Sequence, residues 1–396
     1  MRLEKPGRTP VFYPVPQSCS GRRISASWAW TVHHTPGRPL PARAPCAPLT
    51  LSEEKALTYK DTGVDIAAQD EALARSKDAI RESFTPGVLG DVGLFGGLFD
   101  PAKVGCADTI LVSSADGVGT KLEVARRAGI HDGVGRDLVQ HCINDVLVQG
   151  AKPLFFMDYV AMGKLEPEIV ADLIRGCAEA CRDNGLALLG GETAEMPGVY
   201  RDGDFELCGF MVGAVQRDHL LDGSKVRAGQ VLLGLGSDGL HTNGYSLARH
   251  ILFERMELGL DDRPELLGGK TVVEALLAQH RPYYTCLWPL IESKRLAAMA
   301  HITGGGLPGN VNRILGNHDA EIDGNSWELP GLFQLLIEGG GLERSEAFHA
   351  LNMGIGMVLV VEAEEVDAIT KELTEVGERV TRIGDVVAGT GQVHVR

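Results

Sequence analysis

Residues 109–121 read Thr109-Ile110-Leu111-Val112-Ser113-Ser114-Ala115-Asp116-Gly117-Val118-Gly119-Thr120-Lys121. An apolar, β-rich run ends on an aspartate bracketed by glycines, and a helical pattern opens at Lys121. Open α/β sheets gather ligands beyond the carboxyl ends of their strands, so this stretch predicts a mixed α/β fold with an acidic, ligand-facing turn. A carboxylate there suits a hard divalent cation such as Mg2+, held by one or two carboxylates plus phosphate oxygens. Lys121 either meets a phosphate or solvates the exposed face of the helix it begins.

The same alternation extends outward. Helical periodicity predicts helices near 65–84, 135–149, 166–183, 243–258 and 364–376. Apolar runs predict strands near 109–113, 154–160, 186–189, 205–215, 230–235 and 356–361. The Asp/Gly/Lys-rich stretch 218–229 separates two such sets and is the predicted linker. The expected organisation is an extension at 1–51, a first domain at 52–217 and a second at 218–396.

With 396 residues, 44% hydrophobic and 23% charged, the chain has the composition of a globular protein with ample core. No apolar stretch approaches the roughly 18 residues of a membrane span, so no membrane role is expected. Residues 1–50 hold nine of the 19 prolines and a net charge of +6, against a formal net charge of −15 for the whole chain. That composition predicts a disordered segment. The acidic remainder repels a nucleic-acid backbone, and nucleic acid is not an expected partner. The eight cysteines form no CxxC pair, which predicts core thiols in a reduced, cytoplasmic protein.

Two stretches imitate nucleotide motifs. Gly234-Leu235-Gly236-Ser237-Asp238-Gly239 follows a strand-like run, but a dinucleotide fold needs a helix directly after its glycines, and His241-Thr242-Asn243-Gly244 interrupts. Gly269-Lys270-Thr271 ends like a phosphate-binding loop, yet Pro264 stands where the first glycine belongs. Any nucleotide chemistry therefore needs another device.

Residues 87–97 place five glycines in eleven positions, including Gly93, Gly96 and Gly97. Such a loop can wrap a phosphate chain with exposed amides or close as a lid. In 135–149, one helical arc is apolar while Asp137, Gln140, His141, Asn144 and Asp145 fall on the other, which predicts a helix lining a cleft. Asp145 is a second candidate metal carboxylate. Gly190-Gly191-Glu192-Thr193-Ala194-Glu195-Met196-Pro197-Gly198 is read as another polar loop after a strand.

Six motifs run in order from Tyr59 to near the C-terminus: Tyr59-Lys60-Asp61-Thr62-Gly63-Val64-Asp65-Ile66, the Asp116–Lys121 turn, Cys142-Ile143-Asn144-Asp145, the 190–198 segment, His241-Thr242-Asn243-Gly244-Tyr245-Ser246 and His301-Ile302-Thr303-Gly304-Gly305-Gly306. Together they resemble the aminoimidazole ribonucleotide synthetase (phosphoribosylformylglycinamidine cyclo-ligase) family. The resemblance implies an N-terminal domain of ferredoxin-like topology, whose sheet pairs across a homodimer, and a C-terminal α/β domain. It implies ATP-dependent ring closure of formylglycinamidine ribonucleotide, with ATP under the glycine-rich loop and Mg2+ at Asp116 and Asp145.

On that resemblance Lys77, Asp116, Asp145 and His241 are the expected catalytic residues, Lys77 as a phosphate-contacting cation and His241 for proton transfer or substrate holding. Gly93, Gly96, Gly97, Lys121, Glu192, Thr193 and Asn243 are the expected nucleotide contacts. The loop at 301–306, with a helix expected near Gly309, resembles an anion-receiving turn. Asp238, just before the His241 motif, is a departure from the family pattern. Selenophosphate synthetase, thiamine-monophosphate kinase and the hydrogenase-maturation carbamoyl dehydratase share the architecture. The first needs a reactive Cys or selenocysteine near the glycine loop, and residues 85–100 hold no cysteine; the third ends in a cysteine tail, and this chain ends Val393-His394-Val395-Arg396.

Overall fold

The computed structural model describes residues 66–88, 99–106 and 109–396, which fall in a compact unit spanning Ala56–Arg396. The extension expected at 1–51 lies outside the described residues, as do Gly93, Gly96 and Gly97. Val88 and Phe99, which flank the glycine-rich stretch, form an antiparallel bridge.

The first half runs α1 (Ile66–Glu82), β1 (Ile110–Gly117), α2 (Lys121–Ala128), α3 (Asp132–Leu147), β2 (Lys152–Met162), α4 (Pro167–Asp183), β3 (Ala187–Glu195) and β4 (Phe205–Val215). The second begins with β5 (Val231–Gly236), α5 (Tyr245–Arg249), α6 (Val272–Leu276), α7 (Tyr284–Glu292), β6 (Ala298–His301) and α8 (Gly306–Val311). It continues with β7 (His318–Ile322), α9 (Gly331–Gly340), α10 (Arg344–Ala350), β8 (Ile355–Val361), α11 (Val366–Glu375), β9 (Val380–Ala388) and β10 (Val393–Val395). The mixed α/β class expected from sequence is the observed one.

Four strands form the first sheet in the order β1-β4-β2-β3. The β2–α4–β3 crossover makes the parallel pair, and β4 lies between β1 and β2, antiparallel to both. In α4, Pro167 occupies the first turn, where its missing N–H costs nothing. Its apolar stripe (Val170, Leu173, Ile174, Cys177, Cys181) is buried. Helices α3 and α4 cover the inner face of the sheet and touch backbone to backbone at two glycines. A Cβ on Gly135 would sit 2.2 Å from the Leu173 carbonyl oxygen, and one on Gly176 2.5 Å from that of Asp132. On the outer face, Leu111, Met157 and Phe210 are exposed.

The second sheet has the order β10-β7-β9-β5-β8-β6, antiparallel throughout except for the β10–β7 pair. Two expectations from sequence change here. The 190–198 segment is not a loop, because β3 continues through Glu195 and pairs with β2 to Met162; the glycines fit inside a strand where β2 packs close. The helix expected near Gly309 begins at Gly306 and carries Pro308 inside its first turn.

Most of the polar arc of α3 is buried against the second half, while its Asp145 end stays 27% exposed, as a helix lining a cleft would be. Asp137, His141 and Asn144 are 2% exposed or less. Lys121 Nζ lies 2.6 Å from Asp137 Oδ2, with both side chains at 1% exposure or less. The ammonium also donates to the carbonyl oxygens of Ala278 (2.7 Å) and His241 (3.3 Å), and Asp137 Oδ1 accepts from the His280 amide (2.7 Å). Asn144 bonds the Arg281 carbonyl (2.9 Å) and the Tyr283 amide (3.1 Å). One buried ion pair and one amide thus hold two loops of the second half against α3.

Truncating one member of a buried pair strands the other charge and typically costs about 3–5 kcal/mol. Lys121→Ala and Asp137→Ala should each lower the stability measured by urea unfolding by that order; a loss under 1 kcal/mol would contradict the arrangement.

A second buried carboxylate has no such partner. Asp158 on β2 is 7% exposed, and burial pushes its carboxyl up to about 7. A Cβ on Gly191 would lie 2.4 Å from Asp158 Oδ1, so only glycine fits opposite it. The folded state retains this proton above the ordinary carboxylate range, near 4, while the unfolded chain releases it there. Stability should therefore fall as pH rises from about 4 to about 7. Asp158→Asn should flatten that slope and be more stable than wild type at pH 8, as read by denaturant midpoints; an unchanged slope would exclude Asp158 as its source.

Candidate active site

Strand β1 delivers Ser114 and Asp116 to the inner face of the first sheet, and α3 presents His141 and Asp145 one turn apart. His141 Nε2 is 2.6 Å from Asp116 Oδ2 and 3.5 Å from Asp145 Oδ2. Ser114 Oγ donates to Asp145 Oδ2 at 2.9 Å, and the Gly117 amide donates to Asp116 Oδ1 at 2.7 Å. The structure thus brings the two expected metal carboxylates together, with one ligand atom each from Asp116, His141 and Asp145 lying within 4.8 Å of one another.

The second half closes the cluster. His301, the last residue of β6, binds Asp145 Oδ1 through Nδ1 at 2.8 Å, and its Nε2 lies 3.1 Å from His280 Nε2. Thr242 Oγ1 is 2.7 Å from His141 Nδ1. His241 stacks on His280 with ring centroids 4.1 Å apart. It has φ 60°, a left-handed conformation uncommon outside glycine. The stack needs room: a Cβ on Gly356 would lie 2.5 Å from His241 Cε1 and 2.2 Å from the Tyr283 hydroxyl.

Electrostatics differentiate these groups. Burial raises the Asp116 and Asp145 carboxyls, but hydrogen bonds and charge from His141 and His301 outweigh it. Asp116 ends below the ordinary range and Asp145 at about 2. His141 is pushed down by burial and up by Asp116, Asp145 and Asp137, with a net rise. Burial takes His241 and His280 well below the ordinary imidazole value, and the neighbouring cations add to it. His301 is lowered by burial despite Asp145.

The other expected site residues are placed differently. His241 is 1% exposed and kept neutral, so a proton carrier open to a cleft and poised near neutrality is not what the structure shows at that position; His141 is the imidazole held between the two carboxylates. Lys121, expected at a phosphate, is fully buried on Asp137. Glu192 and Thr193 lie on β3, at the opposite edge of the sheet from β1 and three strand spacings away, or about 14 Å. Asn243 adjoins the 301–306 loop, since a Cβ on Gly304 would approach its Oδ1 to 3.3 Å. Lys77 lies on α1, which packs on α4 and β3.

Sequence offers no motif at His280, and it shows His141 only as one member of the polar arc of α3. The departure at Asp238 has a structural answer: its carboxylate meets Arg281 and Arg379, each at 2.8 Å. The two motifs that imitated nucleotide sites converge in space. Ser237, Asp238 and Gly239, with Lys270, Trp327 and Arg379, line a cavity of 580 Å3.

Models of AIR synthase related proteins match residues 100–215 (N-terminal domain) and 227–396 (C-terminal domain). The chain is 48% identical over 330 residues to the phosphoribosylformylglycinamidine cyclo-ligase of Trichlorobacter lovleyi, covering 83% of this chain and 94% of that one. It is 47% identical over 330 residues to the enzyme of Desulfitobacterium hafniense, covering 83% and 96%. Among solved structures, thiamine-monophosphate kinase from Stenotrophomonas maltophilia matches with a TM-score of 0.61 and 20% identity, covering 82% of this chain and 95% of that one. The hydrogenase maturation protein HypE, in complex with ATP, matches with a TM-score of 0.60 and 17% identity, covering 83% and 90%. The structural likenesses establish the shared fold, and the sequence relatives establish the family: the chain belongs to the phosphoribosylformylglycinamidine cyclo-ligases.

Proposed function

We propose that this chain closes the imidazole ring of 5-aminoimidazole ribonucleotide in purine biosynthesis, converting formylglycinamidine ribonucleotide and ATP to the product, ADP and phosphate. The observation that carries this is identity of 48% to a cyclo-ligase along 94% of that enzyme's length, with Asp116 and Asp145 converging in the structure.

The formyl amide oxygen is a poor leaving group. Transfer of the γ-phosphoryl group to it makes phosphate the leaving group, and the amidine nitrogen then attacks the same carbon, losing a proton as the ring closes. Transfer of this kind is driven mainly by positioning and charge neutralisation. A protein of formal net charge −15 does not gather a triphosphate by long-range attraction. The Asp116 and Asp145 oxygens are hard donors within reach of one ion and fit Mg2+. Mg2+, when bound, would neutralise phosphate charge. His301 and Ser114 hold the Asp145 carboxylate, and His141 and the Gly117 amide hold that of Asp116.

Lys77 and the glycines at 93, 96 and 97 remain our proposed phosphate contacts, with Glu192, Thr193 and Asn243 as further nucleotide contacts. Lys121 we assign to holding the two halves together. His241 we place as a substrate-side support, through its stack on His280. A division at 218 fits the two sheets, which occupy 110–215 and 231–395. The exposed Leu111, Met157 and Phe210 on the open sheet face support a homodimer. The family's biosynthetic role, together with six described cysteines that are all free, supports a cytoplasmic location.

The direct assay is purified protein with formylglycinamidine ribonucleotide, ATP and Mg2+, read as aminoimidazole formed in step with ADP. Asp116→Asn and Asp145→Asn should each lower kcat by at least about 100-fold, the order expected when charge stabilisation of the transition state is lost; near-normal turnover of either would remove its assignment. Phe210→Asp should convert a dimer to a monomer in sedimentation velocity, and an unchanged sedimentation coefficient would remove the sheet face as the interface.

A further inference from the structure

Four buried imidazoles, His141, His241, His280 and His301, gather in this chain, and three of them share one mutual geometry. His141, His280 and His301 come from α3, from the segment before α7 and from the end of β6. Their ring centroids lie 5.2, 5.0 and 5.2 Å apart, and their planes are mutually inclined by 63 to 73°. This is a three-bladed propeller.

Three imidazoles on one tetrahedral ion, with metal–nitrogen bonds of about 2.0–2.1 Å, put each ring centre about 3.2 Å from the ion and the centres about 5.2 Å from one another. The observed spacings match. The two Nε2 atoms of His280 and His301 are 3.1 Å apart. At about 2.05 Å from a common ion, two nitrogens at that separation subtend about 100°, close to tetrahedral. One ligand atom from each of the three histidines lies within 4.8 Å of the other two.

The atoms around the propeller fit the same reading. His280 turns its Nε2 toward His301, and His141 Nδ1 is held by Thr242 Oγ1 at 2.7 Å, which leaves His141 Nε2 directed at Asp116 and Asp145. His301 gives Nδ1 to the Asp145 carboxylate, the outer contact that orients histidine ligands and raises their basicity. Nothing in a buried cluster of three imidazoles suits Mg2+, which takes oxygen donors; imidazole nitrogen suits zinc, cobalt and nickel.

We propose that His141, His280 and His301 form a binding site for one borderline divalent ion of the zinc class, distinct in chemistry from the Mg2+ expected at Asp116 and Asp145. The ion ties α3 of the first half to two segments of the second. Its fourth position is left to water or to an Asp145 oxygen, so occupancy and the magnesium site are coupled through the side chain of Asp145. The inference needs neither ATP nor turnover.

The test is Co2+ titration of the full chain after chelator treatment, read by visible d–d absorption. The expected result is a tetrahedral Co2+ spectrum that saturates at one equivalent, is bleached by Zn2+, and survives excess Mg2+. Zn2+ should also raise the midpoint of thermal unfolding. His280→Ala and His301→Ala should abolish both the spectrum and the shift, while His250→Ala, at an exposed histidine paired with Glu254, should retain them. If His280→Ala does not fold, His280→Phe fills the space without a ligand atom and makes the same test. Absence of a tetrahedral spectrum in the wild-type chain, or its persistence in a folded His280 variant, overturns the proposal, whatever the ring-closure assay gives.

Discussion

The buried polar face of α3 is the constraint on which the rest of the molecule depends. A helix with Asp137, His141, Asn144 and Asp145 along one side cannot bury that side against apolar residues, because unpaired buried polar groups cost too much. Each of the four meets a partner of defined chemistry: Lys121 and the His280 amide for Asp137, Thr242 and Asp116 for His141, the Arg281–Tyr283 backbone for Asn144, and Ser114 and His301 for Asp145. Those partners come from β1, α2 and three separate segments of the second half. The helix therefore sets the register of the two halves and, in doing so, builds the site.

Two forces share the task. Apolar burial forms each sheet layer: Leu138, Val139, Ile143 and Val146 of α3 join Phe156, Val160 and Met211 in the first core, while Leu232, Val358 and Val360 belong to another. Burial of this kind is strong but not directional. The join between the layers has an apolar part, Val124 and Leu147 lying in clusters of the second half, and is oriented by hydrogen bonds and charge, which are weaker in net terms and demand particular geometry. The Lys121–Asp137 pair is costly to bury, and what it contributes is position.

Much of the fold was legible in the chain. Strand and helix periods located all the strands of the first sheet and its major helices, because each has one face buried and repeats at a fixed spacing. Short elements of the second half, such as β7 and α10, were not legible, since five to seven residues hold too little period to rise above their neighbours. Asp116, which the structure brings close to Asp145, stood out in the chain because its residue type and its local turn agreed. Asp145 was visible as part of a polar arc. Lys121 misled because a lysine in a first helical turn ordinarily faces solvent, and only the arrival of Asp137 from the next helix explains its burial. His280 was invisible, since it sits in an irregular segment with no motif, and His241 was overrated because sequence does not report that Tyr283 and His280 enclose it.

The Asp145–His301 bond joins residues 156 apart in the chain. During synthesis on a ribosome, α3 is complete long before β6 exists, so Asp145 waits for this partner until just over three quarters of the polypeptide has been made. Throughout that interval the Asp145 carboxylate lacks its imidazole partner. The contact that joins the two halves at this point is therefore a late event of biogenesis, made only once β6 has been synthesised.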